Sequence, residues 1–292
     1  MYWIGAGSLA RLGHLLDVHY RINWDNFREW VFHKYAKSYA PTAYCYAKKY
    51  SYMINGNLRD IDTLSPSVRN QVIKCLISLS KYLGVHTQFR QKLKDYGVKL
   101  YRSDVFSSFL RMLNGSNSDV LKWYKETNEV LRGNERLLLK FLALTGLRSS
   151  EAITSFNLIV KLARMDKLHE YYNEELQCLE HFKYRELFLR KTKNTYISFI
   201  PRELISQIAD NELVSYNAIR KRLLRSRLKC RLNELRDFFG SFMIRHDLIQ
   251  QEQDLLCGRI PGSVFIRHYW SPSFKDLRDR TLKAIRQLEQ KL

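Results

Sequence analysis

The sequence predicts a mainly α-helical protein with a small β-sheet. Two observations support this fold class over most of the chain: 45% of the 292 residues are hydrophobic, and apolar residues recur at helical spacing. A third observation supports the sheet, because one short region, residues 181–201, has the composition of a strand pair. A chain of this length can bury the core of one large domain or of two ordinary ones.

The first part of the chain, residues 24–112, is predicted to be mostly helical with a break at Pro41. Ser65 and Pro66 open its clearest helix, because proline suits the first helical position. One apolar stripe in this helix is expected to face the core: Val68, Val72, Leu76, Leu79 and Leu83. The basic residues on the other helix faces are either contacts for an anionic partner or a solvated surface.

The polar stretch Asn114–Asp119 contains small residues and no core residue, and is predicted to be a linker. It divides the chain into a helical domain of residues 1–113 and a second domain of residues 120–292. The elements of the second domain are predicted in this order: helices over 121–130 and 134–144, the latter ended at Gly146; a strand pair over 181–191 and 195–201 with its turn at 192–194; and helices from Ser206 to the end.

The formal net charge is +20, from 49 Lys and Arg against 29 Asp and Glu. An excess of this size opposes compaction through self-repulsion, which favours a polyanionic partner. Both predicted domains share the excess, so both are expected to contact phosphate. A membrane surface is disfavoured as the partner, because the sequence has no basic amphipathic segment or anchor.

The five cysteines are scattered and none has CxxC spacing, which argues against a zinc site and a disulfide framework. The first ten residues are apolar but have no basic leader, and no apolar run is long enough to span a membrane. We therefore expect a cytoplasmic protein without a metal ion or cofactor.

The strongest local signal is LALTGLRSSEA, residues 142–152. A helix ends at Gly146 and Arg148 follows at the start of the next helix, where a guanidinium beside helical N–H groups can bind phosphate. A surface arginine at a helix corner is the alternative. Glu151, three residues on, is expected either to hold the Arg148 guanidinium or to form an ordinary surface ion pair.

Four segments resemble, in order, the sequence boxes of the tyrosine recombinases, the family of phage and viral integrases. TGLRSSEA resembles the first arginine box, with Arg148 as its arginine. RKTKNTYISFIP resembles the β-hairpin whose turn carries a lysine eight residues before a proline. That register makes Lys193 the counterpart, with Lys191 as the alternative.

LNELRDFFGSFM resembles the second box with Arg236, and LCGRIPGSVFIRHYW resembles the final box with Arg259 and Tyr269. Two residues depart from the family pattern. Asn233 stands where His or Lys is usual, and an amide can only hydrogen-bond. Arg259 replaces His or Trp, as in archaeal integrases of the fusellovirus type. The resemblance is specific over residues 118–270.

The resemblance implies a nucleophile at Tyr269, which is also the only tyrosine after Tyr216. A tyrosine oxygen can form the covalent phosphate bond that conserves the energy of a broken phosphodiester. Arg148, Arg236 and Arg259 would stabilise charge on the phosphoryl oxygens, and Lys193 would protonate the leaving 5′-oxygen.

The resemblance also implies the two-domain architecture of the tyrosine recombinases, a C-shaped clamp in which a helical core-binding domain precedes the catalytic domain. The expected partner is double-stranded DNA at attachment sites, bound by a homo-tetramer. The free protein is expected to be a monomer or dimer, with no small-molecule substrate. The C-terminal segment has one apolar helix face, namely Phe274, Leu277, Ile285, Leu288 and Leu292. This helix is expected to dock on a neighbouring subunit, or alternatively on its own domain.

Two other functions fit the same residues. A type IB topoisomerase uses a similar cluster on one duplex as a monomer. A non-catalytic DNA-binding protein with this fold is conceivable because of Asn233, and its binding would be salt-sensitive without any covalent attachment.

Overall fold

The computed structural model describes residues 22–37, 39–99, 106, 109–110, 113, 117–190, 193–260, 263 and 268–292. The chain divides into two compact units, Met1–Leu110 and Arg111–Leu292. The described residues are mainly helical, with one three-stranded sheet in the second unit. The predicted fold class is therefore confirmed in its secondary structure.

The first unit contains four α-helices in its described part: α1 (Trp24–Lys34), α2 (Ala40–Tyr50), α3 (Pro66–Tyr82) and α4 (His86–Asp95). Pro66 begins α3 as predicted, and the stripe residues Val72, Leu76 and Leu79 are buried. Pro41 lies in the first turn of α2, where proline lacks only a hydrogen bond that is absent anyway. Pro41 therefore lies at the start of a helix, and the interruption between the two helices comes before it.

Aromatic packing fills the core of the first unit. Phe27 is fully buried, and four rings surround it at centroid distances of 5.2 to 6.3 Å, those of Trp24, Trp30, Tyr44 and Tyr82. Small residues of α2, the buried Ala43 and Ala47, let that helix approach α3 closely. Large rings and small spacers therefore pack beside the aliphatic residues of this core.

The second unit contains nine α-helices and three strands in its described part. The helices are α5 (Asn117–Val130), α6 (Gly133–Thr145), α7 (Ser149–Arg164), α8 (Arg185–Phe188), α9 (Arg202–Ala209), α10 (Tyr216–Arg225), α11 (Glu234–Ile244), α12 (Gln250–Leu256) and α13 (Phe274–Glu289). The antiparallel strands are β1 (Tyr172–Asn173), β2 (Cys178–Leu179) and β3 (Ser198–Phe199), in that order. Cys178 pairs with Asn173 on one side and with Phe199 on the other.

The predicted linker is partly wrong, because residues 117–119 form the first turn of α5. Asp119 lies in that turn, where a carboxylate is favourable beside the positive end of the helix dipole. Residues 114–116 lie outside the described part of the chain. The position of the domain boundary stays a prediction.

The first strand of the predicted pair is also wrong. Residues 181–183 form a 3-10 helix, and residues 185–188 form α8. This helical path turns His181, Tyr184 and Phe188 toward Tyr171, with ring centroids 5.3 to 6.0 Å from it. Burial against one central ring therefore overrides the strand-like composition. The second predicted strand contains β3, whose partner is β2.

Helix α13 packs within its own unit, and docking on a neighbouring subunit stays a prediction. Leu277, Ile285 and Leu288 are fully buried in the core of the second unit. The Arg280 guanidinium binds the buried carboxylate of Glu252 on α12. Three residues of the predicted apolar face therefore pack on their own domain, the alternative that the sequence left open, whereas Phe274 on the same face is 44% exposed.

Candidate active site

A glycine turn between α6 and α7 sets the direction of the first site residue. Gly146 has φ +61°, a conformation that side chains rarely adopt, and a Cβ there would lie 2.2 Å from the Phe239 ring. The turn therefore requires glycine on two counts. It delivers Arg148 to the N-cap position of α7, as the sequence predicts.

A buried carboxylate fixes Arg148. The Glu151 side chain is only 1% exposed, and its Oε1 accepts a hydrogen bond from Arg148 Nη1 at 2.7 Å. Its Oε2 accepts from the backbone N–H of Arg148 at 3.1 Å. The choice left open by the sequence is thereby settled: Glu151 holds the arginine and is not part of a surface ion pair.

A second guanidinium binds the same carboxylate. Arg190 Nη2 donates to Glu151 Oε1 at 2.8 Å, across 39 residues of sequence. The Arg190 side chain is 45% exposed, so part of the group faces solvent. Sequence reasoning missed Arg190, because nothing in the local pattern reveals a partner so far away in the chain.

Arg236 on α11 is buried and ties three segments together. Its Nη1 donates to the carbonyl of Gly146 at 2.7 Å, and its Nη2 donates to the carbonyl of Cys257. Burial lowers the pKa of Arg236, and the like charges of Arg148 and Arg259 lower it further. Arg148 and Arg259 therefore both lie within electrostatic range of Arg236.

Asn233 acts as a capping group. Its Oδ1 accepts a hydrogen bond from the backbone N–H of Ser149, the first residue of α7, at 3.0 Å. Because a backbone N–H can only donate, this bond turns the amide oxygen of Asn233 toward Ser149 and its NH₂ group away from Ser149. The expectation that the first N–H groups of α7 are open to phosphate is therefore wrong for Ser149.

The loop that carries Lys193 packs against the turn before Arg259. Gly258 has φ +67°, and a Cβ there would lie 1.8 Å from the carbonyl oxygen of Asn194. That same oxygen accepts from Arg148 Nη1 at 3.4 Å. Lys193 is exposed at this position. The alternative lysine, Lys191, lies outside the described residues.

The remaining two site residues are at the surface. The Arg259 side chain is 64% exposed and lies 3.5 Å from the Asp254 carboxylate. Tyr269 is 73% exposed. Residues 261, 262 and 264–267, between these two, lie outside the described part of the chain. The approach of Tyr269 to the arginines stays a prediction.

The comparison with family models gives the archaeal phage integrase family, matched over residues 113–275, more than half of the chain. The chain belongs to the archaeal phage integrase family. The match confirms the resemblance read from the four boxes and supports an integrase role with DNA as the partner. The comparisons with curated proteins and with solved structures give no significant match.

In this integrase-family protein, a buried series of hydrogen-bonded polar side chains lies beneath the candidate site. Tyr171 Oη donates to Ser155 Oγ at 2.9 Å and lies 2.6 Å from His181 Nδ1. His181 Nε2 lies 2.9 Å from Ser198 Oγ on β3. Burial lowers the pKa of His181 to about 3, so the imidazole is neutral. This series of hydrogen bonds connects Ser155 on α7, one turn after Glu151, with Ser198 on the strand that follows the Lys193 loop.

Two further observations describe the integrase-family protein. Within the described residues, no group of three or more His, Cys, Asp or Glu is placed to hold a metal ion. None of the helices in the same part of the chain has the length and apolar character needed to cross a membrane.

Proposed function

We propose that the protein is a site-specific DNA recombinase that integrates or excises a mobile element through a 3′-phosphotyrosyl intermediate. One observation carries this proposal: a glycine turn, a buried carboxylate and two packed loops bring Arg148, Arg236 and the Lys193 loop to one place. Family membership supports the same role.

The arginines would stabilise charge that grows on the phosphoryl oxygens in the transition state. Arg148 is preset by Glu151, and Arg236 is preset by two backbone carbonyls. Preset donors need no reorganisation when the charge develops, which is why such groups accelerate reactions strongly. Arg259, which is exposed beside them, would add a third cation when DNA binds.

The covalent step would begin at Tyr269. Its oxygen attacks phosphorus and gives its proton to water, since Tyr269 faces solvent. The bond from phosphorus to the 5′-oxygen breaks, and Lys193 donates a proton to that oxygen. The products are a 3′-phosphotyrosyl bond and a free 5′-hydroxyl, and the reverse reaction rejoins a strand. The NH₂ group of Asn233 would donate a hydrogen bond to phosphate where an imidazole or ammonium group is usual.

Further parts of the proposal concern assembly. The first unit would bind the duplex through its basic surface, in line with the net charge of +20. Four protomers would assemble on two attachment sites. Since Leu277, Ile285 and Leu288 of α13 are buried in their own unit, contacts between protomers would use other residues.

The test traps the intermediate. The protein is incubated with a DNA substrate nicked near candidate crossover positions, including the natural attachment site, and a covalent protein–DNA band is sought on a denaturing gel. We expect a band that Tyr269→Phe abolishes. Tyr216→Phe is the matched control, since Tyr216 is an exposed tyrosine of the same unit outside the site.

The outcomes separate the rival functions. A band with recombinant products supports the recombinase. A band accompanied only by relaxed plasmid would indicate a type IB topoisomerase. A band that survives Tyr269→Phe would overturn the nucleophile, and binding without a band on any substrate would indicate a non-catalytic DNA-binding protein.

A further inference from the structure

We infer that Arg190 binds the scissile phosphate directly, as a fourth arginine beside Arg148. The inference rests on the proposed function, because it assigns a substrate contact within the same site. It starts from a carboxylate oxygen, Glu151 Oε1, that two guanidinium groups share at 2.7 and 2.8 Å.

The shared oxygen fixes where Arg190 lies. Because both guanidinium groups touch one atom, they are held closer together than two like charges would settle in water. Glu151 is buried, so it anchors them from below while Arg190 remains 45% exposed. Its contact with Glu151 uses Nη2, and a guanidinium has further N–H groups for a second anion.

The backbone of Arg190 is also held. Its N–H donates to Asn194 Oδ1 at 2.8 Å, and this bond closes the loop that carries Lys193. The Asn194 carbonyl in turn lies against Gly258 and accepts from Arg148. Arg190 is therefore positioned by the same contacts that position the proposed general acid.

The charges leave room for an anion. Among the described residues around this point, four guanidinium groups meet two carboxylates: Arg148, Arg190, Arg236 and Arg259 against Glu151 and Asp254. A carboxylate shared by two arginines neutralises only one of them. A phosphodiester, which gains negative charge in the transition state, complements the excess.

The experiment compares Arg190→Gln with wild type on two substrates. One has an ordinary scissile phosphodiester, and the other has a methylphosphonate there, which removes the negative charge. On the phosphodiester we expect Arg190→Gln to slow formation of the covalent complex on the order of 100-fold, the usual effect of losing one preset donor. On the methylphosphonate the difference should shrink to roughly tenfold or less.

Arg185→Gln is the matched control, an exposed arginine just before Arg190 on the same segment, and should leave the rate essentially unchanged. Equal losses on both substrates would show that Arg190 only positions the loop and would overturn the inference. So would an unchanged rate on the phosphodiester.

A binding measurement keeps this inference separate from the proposed function. If wild type forms no covalent complex, the proposed function fails. Arg190 is then tested in the Tyr269→Phe background by the salt dependence of duplex binding. Loss of one phosphate contact should reduce the slope of log affinity against log salt by about 0.9. An unchanged slope would overturn the inference.

Discussion

The two units of the protein are stabilised by different kinds of core. In the described part of the first unit, the buried polar residues are Ser78 and Ser80, and the rest of the core is apolar or aromatic. The second unit buries ionisable side chains as well, namely Glu135, Glu151, Glu180, His181, Arg236 and Glu252. Taking such groups out of water is costly unless each is paired.

The pairing shows what the second core is organised to do. Glu252 binds Arg280 and Glu135 binds Arg222, which brace helices against one another. Glu151 and Arg236 lie instead at the candidate site. A core built for stability alone would need none of these groups. The second unit therefore accepts the cost of buried charge to hold other charges in fixed places.

The largest stability difference is expected from two glycines with similar backbone and different surroundings. Gly258 has φ +67° against a backbone carbonyl, whereas Gly84 has φ +73° with nothing within 4 Å of an added Cβ. Gly258→Ala should cost about 3 kcal/mol from strain and overpacking, and Gly84→Ala about 1 kcal/mol from strain alone.

Urea unfolding of the full chain measures the loss of unfolding free energy in both variants. Hydrogen exchange on peptides shows which unit is affected. Gly258→Ala should also raise exchange around residues 193–195. Equal costs for the two variants would mean that the close approach of Gly258 and Asn194 is not a real constraint.

The unfolding free energy of the second unit is expected to depend on pH because of His181. The unfolded chain binds a proton at this imidazole near the ordinary pKa of about 6.5, but the folded chain does so only near pH 3. The unfolding free energy therefore falls as the pH drops through this window. His181 should account for about 2 kcal/mol of the loss between pH 7 and pH 5.

The measurement compares unfolding free energies of wild type and His181→Gln at several pH values. The variant should show a shallower decline, because glutamine does not titrate. Parallel curves for the two proteins would contradict a neutral buried imidazole.

The smallest effects are expected from two tyrosine hydroxyls. Tyr171→Phe leaves the buried groups of Ser155 and His181 without that partner and should cost about 1.5 kcal/mol. Tyr35→Phe removes a part-buried contact to Ser78, which keeps its bond to the Lys74 carbonyl. That variant should cost about 0.5 kcal/mol. If urea unfolding shows a larger loss of stability for Tyr35→Phe than for Tyr171→Phe, the proposed contrast between the two cores is wrong.

Local rules predicted much of the helical framework. Pro66 marked the start of α3, and Gly146 marked the end of α6, because both positions have backbone requirements that single residues reveal. The strand over residues 181–191 was wrong because the central ring, Tyr171, lies ten residues before it. Packing around a distant side chain leaves no mark in a local pattern.

For the candidate site, the sequence supplied residues whose catalytic roles stay predictions. The resemblance supplied Arg148, Arg236 and Arg259, and the pKa of Arg236 reflects the charges of the other two. It could not supply Arg190, whose pairing with Glu151 depends on the fold of the intervening residues. The predicted role of Tyr269 awaits the trapping experiment.

The amide of Asn233 makes its hydrogen bond at the start of α7 insensitive to pH. An imidazole at the start of α7 would change its charge near neutral pH, and an ammonium group would repel the neighbouring arginines. The amide does neither, and its bond to Ser149 has the same polarity in acid and in base. The hydrogen bond that Asn233 makes to the first residue of α7 should therefore persist across the pH range in which the protein stays folded.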